Sequence, residues 1–236
     1  MKLTTLFLLA ISALIIISCG TRIKGEGDVT EQRHDLPEFT EIQIGGVYEV
    51  VLTSGSNNPG ITVVTNENIH DHIEIKVDHG ELHIGSRDKY FDADELRLEI
   101  ETDYIEEIDV SGAVDLKTEN TLRGKSLEIE ISGAGKADMD LNVDELMIDI
   151  SGGAELKLTG LADRLDFEIS GAGDVEAFDL DTEEAEVSVT GAGEVDVRVE
   201  KSLDVSITGA GEVNYIGSPE VSESITGAGE IKQVKR

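Results

Sequence analysis

Seven positions recur at nearly constant spacing in the second half of the chain: Asp115, Lys136, Glu155, Asp174, Glu194, Glu212 and Glu230. Six of the seven are acidic. If successive repeats stack as strands about 4.8 Å apart, these carboxylates form a column. Such a column would bind Ca²⁺ or face a basic partner. The plain alternative carries more weight: a solvated face whose like charges repel and so oppose aggregation. A second acidic series, Asp109, Glu130, Asp149 and Glu168, gives way to Ser188, Ser206 and Ser224. Histidines supply a further candidate. His70-Asp71-His72, with His79 and His83 nearby, contains metal-ligand chemistry. Their spacing matches no established ligand pattern and "IHDH" reads as a turn, so no metal is assigned. Catalysis finds no anchor either. There is no G-x-S-x-G element. Paired carboxylates are too numerous to single one out, and Arg123, Arg164 and Arg198 share no column.

Glycine-rich phrases stand beside the acidic series: "SGAV", "SGAG", "SGGA", "SGAG", then "TGAG" three times. A phosphate cradle needs a following helix and, in a P-loop, a Lys-Ser/Thr. These phrases open strands and are followed mostly by acids, so phosphate binding is rejected. "GAGDV" is faintly similar to the calcium-binding phrase G-G-x-G-x-D, but that repeat is nine residues long. The first glycines here are Gly112, Gly133, Gly152, Gly171, Gly191, Gly209 and Gly227, separated by steps of 21, 19, 19, 20, 18 and 18.

The elements that carry these residues alternate polar and apolar positions. Leu127-x-Ile129-x-Ile131, Leu146-x-Ile148-x-Ile150 and Leu165-x-Phe167-x-Ile169 precede the phrases. Leu116, Ala137, Leu156, Val175, Val195, Val213 and Ile231 follow them. Period 2 predicts strands with one buried face, and each repeat leaves no room for a helix. Each repeat therefore reads as strand, glycine corner, strand and short turn. Like residues recurring at a fixed step favour a right-handed parallel β-helix over a sandwich of unlike hairpins. The corner glycines allow a sharp turn and close stacking. The preceding Ser or Thr is expected to hydrogen-bond along its ladder or to its own turn. Residues 106–236 form this repetitive part. Residues 25–105 read as a less regular β-rich half, with strands hinged at Gly45-Gly46 and a boundary near Asp103 to Glu107.

The first residues predict a different role. Met1-Lys2 and the apolar run Leu6–Ile17 precede Ser18-Cys19-Gly20. The run is too short to span a bilayer, which takes about 20 residues, and reads as a signal peptide over 1–18. Cys19 is the single cysteine and resembles the lipidated residue of a bacterial lipobox, with 19–24 as tether. The expected location is the cell envelope, as an outer-membrane lipoprotein facing the periplasm or the surface. The stretch after Cys19 lacks a dense acidic run, which, by resemblance to such bacterial lipoproteins, leans toward the periplasm. A formal net charge of −31 excludes nucleic acid and anionic membrane surfaces as partners. Aromatics at 4% with no Trp weigh against sugar stacking.

The order of these phrases adds a resemblance. After the lipobox come "GEGDVTEQRHDLPEFTEIQIGGVYEVVLTSG", "TNENIHDHIEIKVDHGELHI", the serial glycine phrases and "YIGSPEVSESITGAGEIKQV". Together they resemble the autotransporter-adhesin head GIN domain family (the DUF2807 group), common in Bacteroidetes. The resemblance covers Gly25 to Val234. It implies an all-β, β-helix-like fold in two parts and no catalytic residues. Gly112-Ala113-Val114 and Gly152-Gly153-Ala154 depart from the full phrase. The expectation is a non-catalytic, lipid-anchored adhesion or interaction module without cofactor, binding an unknown protein or glycan. Its rivals are a polysaccharide-binding or -cleaving protein and a periplasmic lipid carrier.

Overall fold

In a computed structural model, residues 21–86 and 89–235 are described, so the expected signal peptide over 1–18 and Cys19 lie outside the described residues. The strands are β1 (Thr21–Lys24), β2 (Val29–Asp35), β3 (Glu41–Ile44), β4 (Val47–Thr53), β5 (Gly60–Asn66), β6 (Glu74–Asp78), β7 (Glu81–Gly85), β8 (Lys89–Asp92) and β9 (Leu96–Glu101). They continue as β10 (Glu107–Val110), β11 (Ala113–Thr118), β12 (Leu122–Ile131), β13 (Ala134–Ile150), β14 (Gly153–Gly209), β15 (Glu212–Ile216), β16 (Glu220–Gly227) and β17 (Glu230–Gln233). The helical content among the described residues is one 3₁₀ turn, His70–His72. The all-β expectation therefore holds, and 15 of the strands join one curled sheet.

The alternating apolar positions are what set the pairing. β12 pairs β13 in parallel, matching Leu127 to Leu146, Ile129 to Ile148 and Ile131 to Ile150. β13 pairs β14 in the same sense, matching Ile148 to Phe167 and Ile150 to Ile169. Each ladder thus joins a residue to its equivalent one repeat later. A one-residue slip would turn every buried side chain to solvent. β14 runs for 57 residues. Straight, it would measure about 190 Å. Instead it bends at its glycines and bonds to its own neighbouring repeats, as where Arg198 Nε donates to Phe178 O at 2.7 Å.

The N-terminal strands enter the same stack. β10 pairs β3, and β11 pairs β4, placing Ile108 on Ile42 and Leu116 on Val50. On their other side β3 pairs β7 and β4 pairs β9, again in parallel. The spatial order of layers is therefore β7/β9, β3/β4, β10/β11, β12/β13. The chain lays the second layer before the first. Residues 102–106 lie outside the strands, yet the pairing of β3 with β10 and of β4 with β11 joins both halves into one sheet, and one hydrophobic core extends from Phe39 to Val213. Antiparallel strands close this end: β6 on β7, β5 on β9, and β2 on β5. At the far end β16 is largely exposed, and Glu223 replaces the apolar column residue by standing opposite Val205. An inward-facing charge on an edge strand discourages end-to-end pairing.

The first glycine of each phrase is required by contact between layers. A Cβ on Gly112 would lie 1.8 Å from Gly46 O. On Gly133 and Gly152 it would lie 2.0 Å from the carbonyl oxygen of the preceding corner, and on Gly227 2.3 Å. The column of corners thus begins at Gly46. The second position is different, since a Cβ on Gly153 meets nothing closer than Ala172 O at 3.8 Å. The two departures from the full phrase, at Gly112-Ala113-Val114 and Gly152-Gly153-Ala154, keep the first glycine. The expected hydroxyl bonds run along the ladder: Ser111 Oγ donates to Ile44 O and Ser132 Oγ to Val110 O, each at 3.4 Å.

Candidate functional site

The stacking places the first acidic series in one column and extends it. Arg97 pairs Glu49, Glu49 pairs Asp115, Asp115 pairs Lys136, and Lys136 pairs Glu155. Glu194, Glu212 and Glu230 follow one another at the far end. Cations neutralise much of this column. Lys117 Nζ lies 3.9 Å from Glu49 and 3.8 Å from Asp115. Lys136 Nζ is 3.1 Å from Glu155. Lys232 Nζ bridges Glu212 and Glu230 at 2.9 and 3.0 Å. The Lys232 hydrogen bond holds the Glu212 carboxyl below the usual range. Between the paired ends lie Asp174 and Glu194. Burial pushes the Glu194 carboxyl up, and the charges of Asp196, Glu212 and Asp174 push it further.

The second acidic series is organised differently. Gln43, Asp109, Glu130, Asp149 and Glu168 form one column. Two residues earlier along the strands runs another, Glu81, Glu41, Glu107 and Glu128. Residues two apart share a face of a strand, so the columns lie side by side on the outer surface. Among the described residues, Asp109, Glu130, Asp149, Glu168, Glu41, Glu107 and Glu128 have no cationic side chain within 4 Å. Glu81 meets His83 Nε2 at 3.5 Å, and Asp109 accepts a hydrogen bond from Gln43 Nε2 at 3.2 Å. Burial, then the charges of Glu41, Glu128, Glu130 and Glu81, push the Glu107 carboxyl above its ordinary value.

That shift fixes a pH dependence. A carboxyl that binds its proton more tightly in the folded chain contributes most below its unfolded value of about 4.3. The contribution is lost as pH rises through the higher folded value. Lowering the pH from 7 to 5 is therefore expected to raise the melting temperature. Glu107→Gln should raise it by about 2 °C at pH 7 and flatten the pH response. Calorimetry at low salt checks both.

His72 and His83 line one cleft with Asp71, and the other histidines stand apart from it. His70 is buried in the 3₁₀ turn, its Nε2 3.0 Å from Thr30 Oγ1. His79 is exposed, with φ of 53°. His83 Nδ1 lies 3.1 Å from Gln43 Oε1. No group of three or more potential ligands is arranged to hold a metal among the described residues. Sequence reasoning overlooked Gly46, Glu49 and Arg97 as column members. The signal was present in "IGGVYEV", which parallels "VSGAVDL": glycine, two residues, acid, aliphatic.

Comparison with known proteins bears on family and fold. A family model described as "Putative auto-transporter adhesin, head GIN domain" matches residues 38–219. No curated protein matches the chain. Among solved structures, it is similar to a "putative adhesin" from Bacteroides fragilis NCTC 9343, with 25% identity and a TM-score of 0.84. That match covers 90% of this chain and 100% of the other. It is also similar to a "putative lipid binding protein" from Parabacteroides distasonis ATCC 8503, with 24% identity, a TM-score of 0.75, and coverage of 91% and 100%. A "putative adhesin" from Parabacteroides merdae ATCC 43184 has 22% identity, a TM-score of 0.68, and coverage of 91% and 100%. The latter two likenesses concern the fold alone.

Proposed function

From the premise that the chain belongs to the auto-transporter adhesin head GIN domain family, we propose that it is a non-catalytic interaction module of the cell envelope. Its scaffold is a right-handed parallel β-helix, the hand that parallel crossovers almost always take. Its partner surface is the acidic face of Asp109, Glu130, Asp149, Glu168, Glu41, Glu107 and Glu128, and its partner is cationic. The observation that carries this reading is the contrast between two acidic regions of one surface. The column through Asp115 and Glu230 has lysines interleaved at its ends, whereas the seven carboxylates of the other face meet no cation within 4 Å among the described residues, the nearest basic members of their ladder being His83 and Lys76 beyond Gln43. Stacked like charges left uncompensated cost stability, a cost that a cationic partner would relieve on binding. Complementary charge gives fast association that falls with salt. The test is capture of an oligolysine peptide by the immobilised protein at about 50 mM and about 500 mM salt. Saturable binding lost at high salt is expected. Absence of binding at low salt would overturn the reading.

The module is held to the membrane through Cys19. β1 begins at Thr21 and pairs β8 in parallel, so the tether joins the fold almost at once. No helix among the described residues is long and apolar enough to cross a membrane. Cys19→Ser is expected to move the protein from the membrane pellet to the soluble fraction and to abolish incorporation of a fatty-acid label. Retention in the pellet with unchanged labelling would refute the anchor.

A further inference from the structure

Next to the β3–β4 corner the stack is not flush. Between β7 and β9 the chain leaves the ladder, and β8 pairs β1 in a separate two-stranded sheet. The space this opens is a cavity of about 870 Å³, walled by Gly46, Tyr48, Tyr90, Phe91, Ala93 and Leu96 among others. That size falls within the range of about 300–1,000 Å³ common for small-molecule sites. Tyr90 is 59% exposed, while Phe91, Ala93 and Leu96 pack on the core.

Tyr48 is the unexpected residue. Its ring lies against Gly46, where a Cβ would come within 2.5 Å of it. It is 3% exposed, and its hydroxyl is buried with no hydrogen-bond partner. Its equivalents in the next three layers are Val114, Gly135 and Ala154. The column therefore demands only something small or apolar, and a buried unpaired hydroxyl needs a reason of its own. Burial pushes the phenol up to about 12, so the group keeps its proton at any physiological pH.

We propose that this cavity is a ligand site for a neutral apolar molecule carrying one hydrogen-bonding oxygen, its body against Phe91 and Leu96, with a shift of the Tyr48 side chain on binding bringing its closed-off hydroxyl to that oxygen. Glu49 in the wall and the net charge of −31 oppose an anionic headgroup. The site is distinct from the acidic face and does not depend on it.

The test uses 1-decanol as probe, followed by displacement of the neutral dye Nile red from the intact protein. Saturable one-to-one binding is expected. Tyr48→Phe keeps the ring and removes the oxygen, and should weaken decanol about fivefold, one hydrogen bond's worth. Ala93→Trp fills the cavity and should abolish binding of dye and alcohol, with an unchanged far-UV circular dichroism spectrum and melting temperature as evidence of intact folding. No saturable binding, or binding that survives both substitutions, would overturn the proposal.

Discussion

Gly152→Ala collapses the stability of the stack, whereas Gly153→Ala, one residue further on, leaves it nearly unchanged. The difference is geometric. A Cβ at residue 152 would sit 2.0 Å from Gly133 O and 3.0 Å from its carbonyl carbon. The oxygen cannot retreat cheaply, because it accepts the Gly153 N–H at 3.0 Å and that bond is part of the ladder. Relieving the clash means separating two layers and exposing the core between them. The expected loss is on the order of 4 kcal/mol, among the large values for a single substitution. For a chain of this size that lowers the melting temperature by roughly 10 °C. Gly153 occupies the position held by Ala113, Ala134 and Ala172 in neighbouring corners, and its Cβ would make only ordinary contact. The pair separates close packing from glycine's conformational freedom, since Gly152 has no positive φ. Thermal melts of both variants check it, and a comparable loss in Gly153→Ala would refute the contact explanation.

Phe167→Ala is expected to cost about as much for the opposite reason. Phe167 is fully buried and stands in a ladder with Leu82, Ile42, Ile108, Ile129 and Ile148. Removing the ring leaves a void that stacked, hydrogen-bonded layers cannot close, a loss of about 3–5 kcal/mol. Phe167→Leu keeps most of the volume and should cost less than about 1.5 kcal/mol. Urea unfolding reads both as shifts in midpoint at constant slope. Equal shifts would show that the core there adapts rather than packs specifically.

What was legible in the sequence was whatever repeats locally. The period-2 columns through Leu127 and Leu146, and the corners from Gly112 to Gly227, follow directly from short-range spacing. The layer containing Gly46 escaped because 66 residues separate it from Gly112, and because β7 and β9 enter beneath it out of chain order. The antiparallel closure by β2, β5 and β6 depends on pairings that no spacing announces. The acidic surface was legible only as two lists of residues. Which list keeps its charge depended on Lys117 and Lys232, which lie two residues off the first column and reach across layers. The cavity at Tyr48 was not legible at all, because the joining of β1 to β8 brings distant segments together.

The location of the uncompensated charge is the centre of the account, and two fourfold variants test it most directly. One carries Asp109→Asn, Glu130→Gln, Asp149→Asn and Glu168→Gln. The other carries Asp115→Asn, Glu155→Gln, Glu212→Gln and Glu230→Gln. Both remove four negative charges, so their net charges are equal and only position differs. The measurement is the oligolysine dissociation constant at about 50 mM salt. The account predicts a loss of about tenfold or more in the first variant and little change in the second. Equal weakening in both would mean that net charge alone attracts the peptide, and a greater loss in the second would place the partner surface on the other column.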